Sequence, residues 1–168
     1  MVGANGEKQW YAVRVKSRHE KKVSSIFEAK GISRWLPLLN RRKRWSDRYV
    51  TVAEPLFPGY VFAYLEDSEH RLVDTTRGVV RLVSFNGRPA PIPGAEIEAV
   101  RRALDSDLKC DPYPLLKVGR KVAVTRGPLK NHTGELLAGS NNCRVLLSIP
   151  LIGQGIAVEL NSGDVKPL

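Results

Sequence analysis

Apolar and polar positions alternate strictly through WYAVRVK, residues 10 to 16: Tyr11, Val13 and Val15 point one way, Trp10, Ala12 and Arg14 the other. That period of two predicts a strand with at least one buried face. The period then changes. In SRHEKKVSSIFEAKG, Val23, Ile26 and Phe27 form an i, i+3, i+4 stripe, Ser17 and Glu20 have capping-box spacing, and Gly31 stands where a helix should stop. ISRWLPLL, residues 32 to 39, returns to extended structure, and NRRKRWSDRYV interrupts the apolar pattern with Arg41, Arg42, Lys43, Arg44 and Arg48 around Trp45. This segment reads as a protruding hairpin or arm. Pro58-Gly59 marks an edge turn or bulge leading into YVFAYL, where Tyr60, Phe62 and Tyr64 share one face and Val61, Ala63 and Leu65 the other. Both faces of that strand therefore need cover, from helices of the same domain or from a partner protein.

A short helix follows from about Ser68, anchored by Leu72 and Val73 and ended by Gly78; then a strand, VVRLVSF (79 to 85), and a turn-rich connector, NGRPAPIP. Ile97, Val100 and Leu104 give GAEIEAVRRALDS an amphipathic helical stripe. The order strand, helix, strand, arm, strand, short helix, strand, helix suits a small α/β (α+β) sandwich over residues 9 to 106. DLKCDPYP, residues 107 to 114, reads as a linker. From 115 to 168 the pattern is short alternating runs, VGRKVAV, TGELLAG, CRVLLSI and GIAVEL, punctuated by Gly and Asn, which predicts a small all-β barrel.

Charge sharpens this picture. The 168-residue chain has a formal net charge of +10, with thirteen Lys/Arg against four Asp/Glu in residues 1 to 50 and near balance afterwards. A local basic excess favours an acidic partner or a nucleic-acid backbone. Trp45 inside the cluster adds a group that can stack on a base. The two cysteines, Cys110 and Cys143, have neither disulfide-scaffold nor zinc spacing. The polar start, MVGANGEKQ, lacks the apolar core of a signal peptide, and no apolar run approaches membrane-spanning length, so a cytoplasmic location without membrane attachment is expected. His19, His70 and His132 form no triad or metal motif, and GRPAPIPG lacks the ending of a phosphate loop. A binding protein without cofactor or metal fits better than an enzyme.

WYAVRVKSRHE, EPLFPGYVF, TTRGVVRLVSF, PAPIP and VGRKVAVTRGPLKNHTGEL together resemble the NusG family of transcription elongation factors, in the right order over roughly residues 9 to 168. EPLFPGY and Thr76-Arg77-Gly78 are similar to its specialised RfaH-like branch. The resemblance implies an N-terminal NGN domain and a C-terminal KOW domain, the latter marked by Gly119, Val122, Val124, Gly127, Pro128 and Gly134, with Asn131 in place of a common turn glycine. It also implies binding to the clamp helices of bacterial RNA polymerase through Phe57, Tyr60 and Phe62, with suppressed pausing and raised processivity. A polymerase jaw contact would fall among His70, Arg71, Thr75, Thr76 and Arg77, although the family's His-Thr-Thr run is not reproduced. Arg14, Arg18, Arg41, Arg42, Lys43, Arg44 and Arg48 would meet upstream or non-template DNA, and the KOW domain would recruit ribosomal protein S10 or Rho. RfaH-like KOW domains can also adopt a helical form docked on the NGN domain; local alternation here favours β. The alternative is a ribosome- or RNA-binding KOW protein whose arm contacts RNA.

Overall fold

The computed structural model describes residues 6–114, 120–138 and 142–168. The chain divides into two compact units, residues 1–91 and 92–168. The first contains β1 (Gln9–Val15), α1 (Glu20–Ala29), β2 (Ser33–Trp35), β3 (Leu38–Trp45), β4 (Arg48–Pro55), β5 (Tyr60–Leu65), α2 (His70–Asp74), β6 (Val79–Leu82), β7 (Ser84–Phe85) and β8 (Arg88–Pro89). Strands order as β2-β5-β1-β6 in an antiparallel sheet, while β3 and β4 pair only with each other. Alternation dictates the core: Tyr11, Val13 and Val15 of β1 meet Val61, Ala63 and Leu65 of β5 under Val23 and Phe27 of α1, Val73 of α2 and Leu82 of β6.

The turn before β5 follows from Phe57-Pro58-Gly59-Tyr60. Proline presets the first central position, Gly59 takes φ +88 at the second, and the Tyr60 amide donates to the Phe57 carbonyl at 3.2 Å. The expected capping box does not form. Helix α1 begins at Glu20, and the residue before it, His19, makes no side-chain cap bond. Arg18 holds a positive φ of 62, and the buried Glu20 carboxylate turns inward to accept from the Gly59 amide at 3.4 Å instead of reaching back toward Ser17. The predicted single strand over 79 to 85 breaks at Val83, whose amide bonds Ala12. Its end instead joins a tight hairpin through Asn86 and Gly87, both at positive φ.

The second unit contains α3 (Gly94–Asp105), β9 (Cys110–Pro114), β10 (Arg120–Val124), β11 (Thr133–Ala138), β12 (Asn142–Ile149), β13 (Gln154–Asn161) and β14 (Val165–Pro167). Helix α3, predicted to close the first domain, counts with this unit, where it lies against β12. The six strands form an antiparallel sheet in the order β14-β10-β11-β12-β13-β9. The predicted linker is therefore partly structural. Cys110 to Pro114 pair with β13 because an antiparallel partner satisfies backbone groups that a free linker would leave to water. Both Leu146 and Leu147 are buried, so β12 is covered on its two faces. The chain is thus a mixed α/β protein, rich in strands, ending in a multi-stranded sheet.

Candidate functional site

Three surfaces of the first unit carry the side chains singled out by the sequence. On the sheet face turned away from the α1 core, register places Trp10 opposite Tyr64, Ala12 opposite Phe62 and Arg14 opposite Tyr60. Trp10 and Tyr64 rings lie 5.1 Å apart, and Trp35 of β2 packs on Phe62 at 5.4 Å. Phe57 meets Phe62 edge to face at 5.9 Å. Phe57 and Phe62, expected at the polymerase contact, are buried in this structure. Aromatic rings that can pack on each other leave water even where the strand's opposite face is already occupied. Tyr60 remains partly exposed, and its hydroxyl accepts from Arg14 Nη1 at 3.0 Å.

The second surface is the hairpin of β3 and β4, closed by Ser46 and Asp47. Every residue from Arg41 to Tyr49 is exposed, Trp45 at 52% and Tyr49 at 58%. Pairing assigns Arg41, Lys43, Trp45 and Arg48 to one face with Val50, Val52 and Glu54, and Arg42, Arg44 and Tyr49 to the other with Thr51. On the first face Glu54 pairs with Lys43 and, at 3.7 Å, with Arg41. A hydrogen bond from Lys43 and the nearby cations hold the Glu54 carboxyl below the usual glutamate range, against a smaller opposing effect of burial. On the second face the Arg42 guanidinium lies 4.4 Å from the Tyr49 ring centroid. Lys21 Nζ of α1 donates to the Ala53 carbonyl at 2.7 Å, tying the hairpin base to the domain.

The third surface surrounds α2. Arg71, Thr75 and Arg77 are exposed, whereas Thr76 is buried, donating to the Leu72 carbonyl and accepting from Lys30 Nζ at 2.9 Å. His70 packs edge-on against Tyr11 with centroids 4.7 Å apart. Thr76 is thus buried and His70 half-buried within the fold, while Arg71, Thr75 and Arg77 are exposed. Burial and then Asp67 push the Tyr11 hydroxyl pKa up. Sequence reasoning passed over Phe85, which stands 69% exposed beside the Asn86-Gly87 turn, and Val80, 55% exposed on β6. The Asn-Gly pair was the signal, because it forces a hairpin that leaves its flanking side chains in water.

In the second unit Val122 and Val124 are buried. A Cβ on Gly134 would stand 2.6 Å from Val145 Cγ1 and 2.7 Å from the Leu146 carbonyl oxygen, so only glycine fits there. Gly127 and Asn131 both take positive φ, 84 and 72, in the loop carrying Pro128. Gly119 lies outside the described residues. Among the described residues no group of three or more His, Cys, Asp or Glu is placed to hold a metal, and no helix is long and apolar enough to cross a membrane.

The first unit thus carries an aromatic sheet face and a basic hairpin. Residues 8–101 match the family described as transcription termination factor nusG. The transcription termination/antitermination protein NusG of Rickettsia prowazekii is 26% identical over 176 residues, covering 96% of this chain and 91% of that protein. Its Bacillus subtilis counterpart is 24% identical over 177 residues, covering 96% and 99%. A solved structure reporting domain interaction in Thermotoga maritima NusG overlays with a TM-score of 0.57 at 24% identity, covering 96% of this chain and 97% of that one, which supports the shared fold. The chain belongs to the NusG family of transcription termination and antitermination factors.

Proposed function

We propose that this protein is an elongation and antitermination factor that binds the clamp helices of bacterial RNA polymerase, suppresses pausing and increases processivity. The observation that carries this reading is the family match over residues 8–101, coupled to a sheet face that keeps Trp10, Tyr60 and Tyr64 partly exposed. On that face Tyr60 makes the contact, with Phe62 two residues along the same strand face and Phe57 packed on Phe62. Arg71, Thr75 and Arg77 contact the jaw. Arg14, Arg18 and the hairpin cations Arg41, Arg42, Lys43, Arg44 and Arg48 contact the backbone of upstream or non-template DNA. The second unit acts as a KOW barrel that recruits ribosomal protein S10 or Rho, in an RfaH-like, operon-dedicated factor.

The test is binding of the full chain to reconstituted bacterial elongation complexes, beside co-sedimentation with ribosomes. Tyr60→Ala/Tyr64→Ala, confirmed folded by circular dichroism, should weaken polymerase binding tenfold or more, which is about 1.4 kcal/mol. Equal binding by both proteins would move the interface elsewhere. Ribosome binding without polymerase binding would replace the reading with the ribosomal one.

A further inference from the structure

Glu20 is the one buried charged side chain among the described residues, at 6% exposure. Burying a carboxylate costs free energy that an apolar side chain of similar size would not, so packing alone does not account for it. The charge sits in the first turn of α1, where free backbone amides favour an anion, and its Oε2 accepts from the Gly59 amide at 3.4 Å. From the other side, the Gly59 carbonyl accepts from the Val15 amide of β1 at 2.9 Å. Both backbone polar groups of the corner glycine are therefore held from outside the turn, one by α1 and one by β1.

That amide belongs to the Pro58-Gly59 peptide, the central peptide of the turn. Turns of types I and II differ by turning this peptide over, which sends its N–H to opposite sides, and the φ of +88 at Gly59 is that of type II. Glycine is compatible with both forms, and a Cβ there would meet nothing within 4 Å, so no side-chain crowding makes the choice. The Glu20 carboxylate favours one form, because its bond exists in only one of the two orientations. Tyr60 follows at once, held by its amide to the Phe57 carbonyl at 3.2 Å and by its hydroxyl to Arg14 at 3.0 Å.

We propose that Glu20 is a positioning residue for the polymerase-binding face: it locks the Pro58-Gly59 peptide and so holds Tyr60 in the orientation its partner receives. This rests on the reading of Tyr60 as a polymerase contact. An apolar residue at position 20 leaves the Gly59 amide without its acceptor, which favours rotation of the peptide. Tyr60 is then presented correctly for only part of the time, and apparent affinity falls by that fraction.

The experiment is a double-mutant cycle, read as the affinity of the full chain for reconstituted bacterial elongation complexes. Glu20→Leu should weaken binding about fivefold in the wild-type background and less than about twofold beside Tyr60→Ala, because a residue acting through Tyr60 then has nothing left to position. Glu20→Gln, which keeps an acceptor oxygen at the same reach, should bind within about twofold of wild type. By NMR, the nuclear Overhauser contact between the Pro58 Hα and the Gly59 amide proton, strong in a type II turn, should weaken in Glu20→Leu and persist in Glu20→Gln. Equal losses from Glu20→Leu with and without Tyr60, an unchanged Overhauser contact, or no rescue by glutamine would overturn the positioning role and leave the polymerase reading standing. Full affinity in Tyr60→Ala, or no binding by wild type, would overturn both. Glu20→Asp, which keeps the charge and withdraws the oxygen by one methylene, takes the place of Glu20→Leu in the cycle if circular dichroism shows the leucine variant unfolded.

Discussion

Replacing Phe62 by alanine distinguishes a residue that docks a partner from one that holds the sheet. Its side chain is fully buried and touches two other rings, Phe57 at 5.9 Å and Trp35 at 5.4 Å. Truncating a buried Phe costs about 3–5 kcal/mol, and the lost ring pairs, each worth about 0.5–1.5 kcal/mol beyond area, place this site toward the upper end. For a unit of this size each kcal/mol lowers the melting midpoint by roughly 4–8 °C, so a fall of at least about 12 °C is expected. The assay is urea and thermal unfolding of the full chain followed by far-ultraviolet circular dichroism, with Trp fluorescence reporting on Trp35. Phe62→Leu should recover most of the loss, because it refills volume and forfeits only the ring pairs. A Phe62→Ala protein within about 1 kcal/mol of wild type that nevertheless fails to bind elongation complexes would refute the packing argument, because a loss of that pattern belongs to an exposed contact.

Gly134→Ala should destabilise the second unit by about 1–3 kcal/mol, read as a shifted unfolding midpoint, since one of the atoms its methyl meets is the Leu146 backbone oxygen, which cannot swing aside. The Glu54 carboxyl should titrate by NMR below the ordinary glutamate range and return toward it in Lys43→Ala. Because its folded pKa is depressed, the pairing contributes above the unfolded glutamate pKa and is lost as pH falls through the lower folded value. Burial, followed by the charge of Asp111, pushes the Cys110 thiol up to about 11, and burial raises Cys143 as well. Both should therefore react with a thiol reagent at pH 8 far more slowly in the folded chain than after guanidinium unfolding; equal rates would contradict their placement.

Period and punctuation made most of the first unit legible. The alternation in WYAVRVK and YVFAYL separated Tyr11, Val13 and Val15 from the aromatic face, because a pleated strand leaves no freedom in that assignment. The arm was legible as a break in apolar pattern, but not its division into two faces, which depends on which residue of β4 lies opposite each cation. Two local rules misled. Ser17 and Glu20 have capping spacing, yet the Gly59 amide, 39 positions from Glu20, supplies the donor. DLKCDPYP looks like a linker by composition, yet β13 offers it a ladder. Exposure was the least legible property: nothing in LFPGYVF tells Phe62 from Tyr60, because what covers a strand face is decided by segments such as Trp35 that are distant in sequence.

Strand β9, at one end of the six-stranded order, has a consequence for association. Pro112 and Pro114 are two residues apart, so their missing N–H donors fall on the same side of the strand, and prolines in edge strands direct that side outward. At the other end β14 closes on Pro167. Neither margin of the sheet presents an uninterrupted row of donors for another chain to zip onto. A protein that docks on this unit is steered toward its side-chain faces and loops, and unwanted self-pairing of the sheet through its margins is suppressed by the same residues.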